Sequence, residues 1–225
     1  MIPKHIAIIP DGNRRWAKSK KFSLLSTYKA AGSYEKAKKL GEEAKKCGVE
    51  YISIWAFSTE NWKRNKNEVK LAFRIIEDFI DSSIKHAEGD KYHFIHIGNK
   101  NKIPKTILDK IKKLEKKTRN FKGFTFILCL NYGGRDEIIR AVNKAIKNKK
   151  KVNENSFKKI LDTKEIPDPD LIIRTGGEKR LSGFMPFQSI YSELYFTNTP
   201  FPDFDIKHLR EAIEDFKKRK RNLGR

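Results

Sequence analysis

The residues best suited to chemistry lie in four short polar clusters, each directly after an apolar run. The clusters are DGNRRW from Asp11, STENWKR from Ser58, NYGGRDE from Asn131 and RTGGEKRLS from Arg174. Arginines offer planar forks that match phosphate oxygens, and glycines let backbone N–H groups approach an anion. The arginines that carry this signal are Arg14, Arg15, Arg64, Arg174 and Arg180. The clusters therefore predict a site for a phosphorylated ligand.

Asp11 is an acid among these arginines. A carboxylate at a phosphate site suits Mg²⁺, which prefers oxygen ligands and keeps water and phosphate in its coordination shell. A helix cap or a salt bridge is the plainer role for the same side chain. Both interpretations of Asp11 stay open at the level of the sequence.

Other common reaction classes lack their motifs in this chain. Neither GxxxxGK[ST] nor GxGxxG is present, so the main support for a P-loop or a dinucleotide site is missing. His5 is the one histidine near a polar cluster. Acyl transfer needs a nucleophile matched to a histidine base, so this distribution counts against it.

The pattern of apolar residues predicts the helices and strands that position the clusters. Alternating helical and β-rich patterns predict an α/β fold with a largely parallel sheet, covered by helices on both faces. Ser33 can cap a helix that ends at Gly48, and Asn65 with Glu68 resembles a capping box. The predicted strands are 6–10, 51–57, 92–98, 124–130, 170–174 and 193–196.

A parallel sheet also explains why polar chemistry follows each strand. The carboxyl ends of its strands share one edge, where ligands bind. Any single cluster is more simply a turn rich in glycine. Four of them in the same topological place predict one common site.

Size and composition indicate one folded unit. The chain has 225 residues, of which 38% are hydrophobic, so it can bury a sizeable core, and we expect residues 1–225 to form a single domain. Cys47 and Cys129 fit buried small apolar residues better than a disulfide or metal site. The sequence lacks a membrane-spanning run and a signal-peptide layout, so we expect a cytoplasmic protein.

The segments that carry the clusters resemble those of a known family. HIAIIPDGNRRWAK, SIWAFSTENWKR, NYGGRDEI and DLIIRTGGEKRLSGFMPFQSIYSELYFTNTPFPDF are similar, in order and spacing, to the motifs of the cis-prenyltransferases. The resemblance covers nearly the whole chain. It implies a Mg²⁺-dependent enzyme that extends an allylic diphosphate, usually farnesyl diphosphate, by repeated cis addition of isopentenyl diphosphate. The implied product is undecaprenyl diphosphate, precursor of the lipid carrier for cell-wall glycans.

The resemblance also implies a fold and an assembly. The family has a single α/β domain with a mainly parallel six-stranded central sheet flanked by helices. A hydrophobic tunnel lies beside its active site, and the protein forms a homodimer. The inward faces of residues 69–84 and 124–130 are candidates for the tunnel wall, although both stripes are also the expected core.

Carried over by position, the resemblance assigns individual roles. Asp11 becomes the metal-linked catalytic acid, Asn61 the proton acceptor and Glu193 a further metal ligand. An amide is a poor base, so an oxygen of the departing diphosphate stays an alternative proton acceptor. The residues implied for binding the allylic diphosphate are Gly12, Asn13, Arg14, Arg15 and Trp16, with Ser58, Thr59, Glu60, Trp62 and Arg64 completing that wall. The clamp implied for isopentenyl diphosphate is Arg174, Arg180, Leu181 and Ser182.

The chain departs from the family pattern after the first cluster and at its end. Leu24 and Tyr28 stand where the family usually has an arginine and a histidine. The nearby Lys20, Lys21 and Lys29 are candidates for the missing charge. The NLG at 222–224 stands where many relatives carry an arginine, for which Arg219 or Arg221 could substitute.

The formal net charge of +22 admits rival functions. Such a surface attracts nucleic acid, anionic lipid or phosphorylated small molecules. We expect no nucleic-acid partner, because no known module for one is present. A noncatalytic, regulatory family member should have lost Asp11 or the RTGG motif, and both are here. We assign the charge to steering of polyanionic substrates and to peripheral contact with an anionic membrane.

Overall fold

Six apolar runs form the strands of a single sheet in a computed structural model that describes residues 1–221, so the NLG at 222–224 lies outside the described residues. The strand order is β3-β4-β2-β1-β5-β6, and each neighbouring pair is parallel. The predicted α/β fold around a six-stranded parallel sheet is therefore confirmed. The strands are β1 (His5–Ile9), β2 (Tyr51–Ser58), β3 (His93–Ile97), β4 (Thr125–Tyr132), β5 (Leu171–Arg174) and β6 (Glu193–Phe196).

Helices connect the strands and cover the sheet. They are α1 (Asn13–Lys20), α2 (Leu24–Ala31), α3 (Tyr34–Lys46), α4 (Lys66–Asp90), α5 (Lys105–Thr118), α6 (Gly134–Lys147), α7 (Glu154–Lys158) and α8 (Ile206–Lys218). Ser33 caps α3 as predicted, accepting the N–H of Lys36 over 3.2 Å. Asn65 caps α4 through the N–H of Asn67, but Glu68 does not complete the predicted capping box and binds arginines instead.

The core lies on both faces of the sheet because side chains alternate along each buried strand. In β1, Ile6 and Ile8 belong to the larger core, which is formed with α3, α4, α5 and α8. Ala7 and Ile9 face the opposite way, into a smaller core closed by Phe184 and Met185. The sheet is therefore buried on both sides, as its continuous apolar strands predicted.

The strand order determines which loops meet. β1 lies between β2 and β5, so the segments that follow these three strands are neighbours at the carboxyl edge of the sheet. Cys129 is buried in β4 as predicted, whereas Cys47 is only half-buried at the end of α3, and both are free thiols. Within residues 1–221, no helix has both the length and the apolar character to cross a bilayer.

Candidate active site

Asp11 lies in the turn between β1 and α1, with both carboxylate oxygens engaged. Its Oδ1 accepts the N–H of Gly12 over 2.6 Å, and its Oδ2 accepts Nη2 of Arg174 over 2.7 Å. Partial burial opposes ionisation, but the hydrogen bonds from Arg174 and Gly12 outweigh it and lower the pKa of Asp11. The carboxylate is thus anionic at neutral pH, and its side chain keeps 35% exposure.

Glycines allow the Asp11 turn to pack directly on the loop that follows β5. Gly12 and Gly176 adopt positive φ angles of 91° and 80°. A Cβ atom on Gly176 would lie 2.8 Å from the Cα of Gly12, so a side chain there would separate the two loops. Thr175 joins them further, since its hydroxyl accepts the N–H of Asp11 over 2.9 Å. The start of α1 therefore lies beside the loop that carries Arg174.

Arg174 ends β5 and organises the segment after it. Its side chain is nearly buried, and its Nη1 donates to the carbonyl oxygen of Arg180 over 2.5 Å and to Oγ of Ser182 over 2.8 Å. Arg180 and Arg15 both pair with Glu178, at 2.5 and 3.1 Å, near the surface. Of the residues implied for the isopentenyl diphosphate clamp, Arg174, Arg180 and Ser182 are thus brought to the same part of the molecule as Asp11.

Glu68 gathers two further arginines and was not among the predicted site residues. Its carboxylate accepts Nη2 of Arg14 over 2.6 Å, Nη1 of Arg64 over 3.2 Å and the hydroxyl of Tyr28 over 2.7 Å. Burial opposes its charge, but hydrogen bonds from Arg14 and Tyr28 lower the pKa of Glu68. The sequence signal for Glu68 was its position three residues after Asn65, which indicated a cap rather than an anchor for arginines.

One cavity of about 650 Å³ opens beside these groups and runs into the apolar core. Its far end is apolar and is formed by Ala72, Ile75, Ile76 and Phe79 of α4 with Phe126 and Leu128 of β4. The pairing register of β2 with β4 shifts between Trp55 and Phe57, and this irregular part of β2 lines the cavity. The predicted site residues on its wall are Asp11, Gly12, Asn13, Arg14, Arg15, Ser58, Glu60, Asn61, Arg64, Arg174, Arg180 and Ser182.

Other predicted residues support the cavity without lining it. Trp62 donates to Oδ1 of Asn131 over 2.8 Å and stacks on Phe73. Thr59 packs against Gly133, where a Cβ atom would lie 2.2 Å from its hydroxyl oxygen. The NYGGRDE cluster therefore packs behind the residues of the cavity wall and does not line the cavity. The prediction that all four clusters form one site was wrong for this cluster, and the other three converge on the cavity. Trp16 and Leu181 also lie outside the lining, Trp16 packing on Phe22 and Leu181 against the smaller core.

Glu193 is not brought to Asp11 within one chain. It begins β6 in register with Leu171, whereas Asp11 bonds Arg174 at the other end of β5. Three residues of a strand separate these ends, which is about 10 Å. Glu193 pairs instead with Nη1 of Arg219 over 2.9 Å. The implied metal site of Asp11 and Glu193 together is therefore not formed inside one chain.

Asn61 lines the cavity with its amide oxygen already engaged. That oxygen accepts the N–H of Ser58 over 3.1 Å, which fixes the orientation of the amide. The lone pair of the amide nitrogen is delocalised into the carbonyl group, so the nitrogen acts only as a donor. This geometry suits Asn61 to donate to a ligand oxygen more than to act as a base.

The segment that departs from the family pattern borders the cavity mouth. Tyr28, at the position of the family histidine, lines the cavity and donates to Glu68. Leu24, at the position of the family arginine, is 37% exposed. Lys20, Lys21 and Lys29 are exposed on the same segment.

Comparisons with known proteins agree in pointing to one family. Residues 9–224 match the prenyltransferase family model described as undecaprenyl diphosphate synthase. An isoprenyl transferase of Treponema denticola is 42% identical over 222 residues, which span 98% of this chain and 97% of the relative.

Two solved structures share the fold. Lavandulyl diphosphate synthase from Lavandula x intermedia, crystallised with dimethylallyl diphosphate, has a TM-score of 0.93 and 35% identity over 100% of this chain and 99% of its own. A probable undecaprenyl diphosphate synthase from Campylobacter jejuni has a TM-score of 0.84 and 32% identity, covering 99% of each chain.

Proposed function

Because the chain belongs to the undecaprenyl diphosphate synthase family of prenyltransferases, we propose that it extends an allylic diphosphate by successive cis additions of isopentenyl diphosphate. The observation that carries this proposal is a single cavity with two chemically different ends. Arginines and Asp11 surround one end, and aliphatic and aromatic side chains form the other. A diphosphate joined to a hydrocarbon tail, such as farnesyl diphosphate, complements both ends.

The residues act by binding, orienting and stabilising charge. Arg14, Arg15 and the N–H groups that begin α1 hold the allylic diphosphate as its C–O bond breaks and negative charge grows on the leaving oxygen. Arg174, Arg180 and Ser182 hold the isopentenyl diphosphate so that its double bond lies near the allylic carbon. A new C–C bond forms, and one proton leaves the carbon beside it.

We assign that proton to an oxygen of the departing diphosphate. The amide oxygen of Asn61 already accepts the N–H of Ser58 and is a weak base, so it is the poorer acceptor. The amide nitrogen of Asn61 instead donates to a diphosphate oxygen in this proposal. An acceptor that forms during the reaction needs no separate base in the wall.

The residues present fit a Mg²⁺ ion that arrives with a diphosphate. Within residues 1–221, no three side chains of the His, Cys, Asp and Glu types cluster as a ready metal site. Mg²⁺ is commonly held by one or two carboxylates together with substrate phosphates and water. The ionised, partly exposed carboxylate of Asp11 supplies such a ligand. When bound, Mg²⁺ would neutralise diphosphate charge as a Lewis acid.

We propose that the apolar end of the cavity is the start of a tunnel for the growing chain. It lies between α4 and β4, on the two stripes that the sequence offered as either tunnel or core. The family and its bacterial relatives favour undecaprenyl diphosphate as the product, with a role as lipid-carrier precursor for cell-wall glycans. The protein would work in the cytoplasm, at the inner face of the membrane.

We further propose a homodimer formed through α6. Ile139 and Ile146 on this helix are 59% and 68% exposed, and Val142 between them is 38% exposed. Their spacing places them on one face of α6, and this face is more apolar than the exposed face of a helix that contacts only water. Sedimentation of the wild type and of Ile139→Lys would test this, since a charge there should yield monomers.

The first test is synthesis of product by the purified protein. We would incubate it with farnesyl diphosphate, labelled isopentenyl diphosphate and Mg²⁺, with Asp11→Ala as the control, and resolve products by length. A Mg²⁺-dependent ladder that the control lacks would support the proposal. No incorporation with varied primers and detergents would favour a noncatalytic family member.

A further inference from the structure

Residues 12–34, at the cavity mouth, carry positive charge only. They include no acidic residue, and their cations are Arg14, Arg15, Lys18, Lys20, Lys21 and Lys29. The four lysines are exposed. Their charge is therefore available to a partner outside the protein.

Large apolar side chains stand among these lysines. Phe22, Leu24 and Leu25 are 54%, 37% and 40% exposed, and all three lie within four consecutive residues. The segment is held in place, because the N–H of Phe22 bonds the carbonyl oxygen of Ala17 over 2.9 Å and Ser23 caps α2. The three side chains thus project from the turn between α1 and α2 and from the first turn of α2, and they are not part of the core.

The position of this turn connects it to the cavity. Leu24 lies in a shallow depression with Arg14, Lys63 and Arg64, and the same arginines line the main cavity. Tyr28 of the same helix lines the cavity directly. A surface in contact with the turn would therefore adjoin the opening through which ligands pass.

We propose that residues 18–29 are a docking surface for an anionic lipid bilayer. Phe22, Leu24 and Leu25 would enter the boundary between headgroups and acyl chains, and the lysines would lie over anionic headgroups. Exposed apolar side chains flanked in sequence by exposed lysines match a bilayer on both counts, since anionic headgroups cover apolar chains. Each lysine near such a surface strengthens binding about fivefold at moderate salt. The inference depends on exposure and charge, and not on the prenyl transfer proposed above.

The test measures binding to vesicles without any substrate. Wild-type protein should co-float with vesicles of phosphatidylglycerol and phosphatidylcholine, and far less with phosphatidylcholine alone or in high salt. The triple variant Phe22→Ser, Leu24→Ser, Leu25→Ser should partition at least about tenfold more weakly. The matched control Val152→Ser, Ile206→Ser removes side chains that are 44% and 39% exposed elsewhere, and should bind as the wild type does.

A second readout locates the contact. Compared with the wild type, whose signal comes from Trp16, Trp55 and Trp62, Leu25→Trp should show added blue-shifted emission on anionic vesicles and added quenching by lipids brominated on their acyl chains. Equal binding by the triple variant, absence of quenching, or equal binding to neutral vesicles would each overturn the proposal. Thermal unfolding of every variant separates lost docking from lost folding. If vesicles do not bind the protein but product still forms, only the docking surface fails.

Discussion

Asp11 and Arg174 are joined by a hydrogen bond of 2.7 Å that ties the end of β1 to the end of β5. The same guanidinium reaches Ser182, so one buried arginine links a partly exposed carboxylate to the loop after β5. This pair holds the two halves of the polar site in register. It also lowers the pKa of Asp11, so the carboxylate stays ionised to a lower pH than that of an ordinary aspartate.

Changing each partner of this pair should separate catalysis from binding. Asp11→Asn should lower kcat at least about 10²-fold, because the site would lose the negative charge that we propose holds Mg²⁺. Arg174→Lys keeps the charge but loses the fork, so the KM for isopentenyl diphosphate should rise about tenfold or more. Steady-state kinetics with each substrate varied in turn measures both effects. Arg140→Lys, at an arginine that pairs with Asp136 and Asp162, is the matched control.

Glu68→Gln should weaken binding of the allylic diphosphate. The carboxylate anchors Arg14, Arg64 and Tyr28, so its neutralisation leaves two arginines without their shared partner. We expect the KM for the allylic substrate to rise about tenfold, with little change for isopentenyl diphosphate. Tyr28→Phe should have a smaller effect, because it removes one hydrogen bond.

A matched control exists for this variant. Glu43→Gln changes a buried carboxylate that pairs with Arg210 between α3 and α8, away from the cavity. It should leave both KM values unchanged. A lower allylic KM in Glu68→Gln would show that this carboxylate competes with the substrate, contrary to the anchoring role.

Much of this fold could be predicted because the strands are buried on both faces. Runs such as Phe124–Leu130 do not alternate between apolar and polar residues. Their assignment as strands and their parallel pairing therefore followed from composition and spacing alone. Asp11 and Arg174 were predicted together because both follow strands, and strand ends share an edge. Their bond could not be predicted, since it depends on strand order.

The errors have physical causes as well. The NYGGRDE cluster also follows a strand, but β4 lies one position further from the centre of the site, so it supports Thr59 from behind. Glu193 is a different case: motif position carries no information on the end of β6 at which it lies, and its role as a metal ligand stays a prediction, because the geometry separates it from Asp11 only within one chain. Glu68 was missed because local spacing indicated a cap, whereas tertiary packing gave it arginines.

Phe79→Ala should lengthen the products. Phe79 and Phe126 meet at the apolar end of the cavity, with ring centroids 5.6 Å apart. Removing one ring opens space beyond the present end, so the distribution of polyprenyl lengths should shift upward. Chromatography of labelled products measures the shift. Phe216→Ala removes a ring on the buried face of α8 and should cost similar stability, roughly 3–5 kcal/mol, without changing the lengths. Unchanged lengths in Phe79→Ala would mean that the tail takes another route.

Two buried histidines should make the fold sensitive to mild acid. His5 lies between the carbonyl oxygen of Pro167 and Oγ of Ser53, and burial lowers its pKa to about 4. Burial lowers the pKa of His96 to about 4 as well. In the unfolded chain both would titrate near 6.5. Between these values the unfolded state binds more protons, so stability is full above about pH 6.5 and falls as the pH drops towards 4.

Urea unfolding at a series of pH values between 7 and 4.5 tests this linkage. Well inside the window, each histidine should reduce the free energy of unfolding by about 1.4 kcal/mol per pH unit. His96→Gln should halve the slope, since one titrating group is removed, whereas His86→Gln at an exposed position should leave it unchanged. A wild-type stability that is flat from pH 6.5 to 4.5 would contradict the neutral, buried state of both rings.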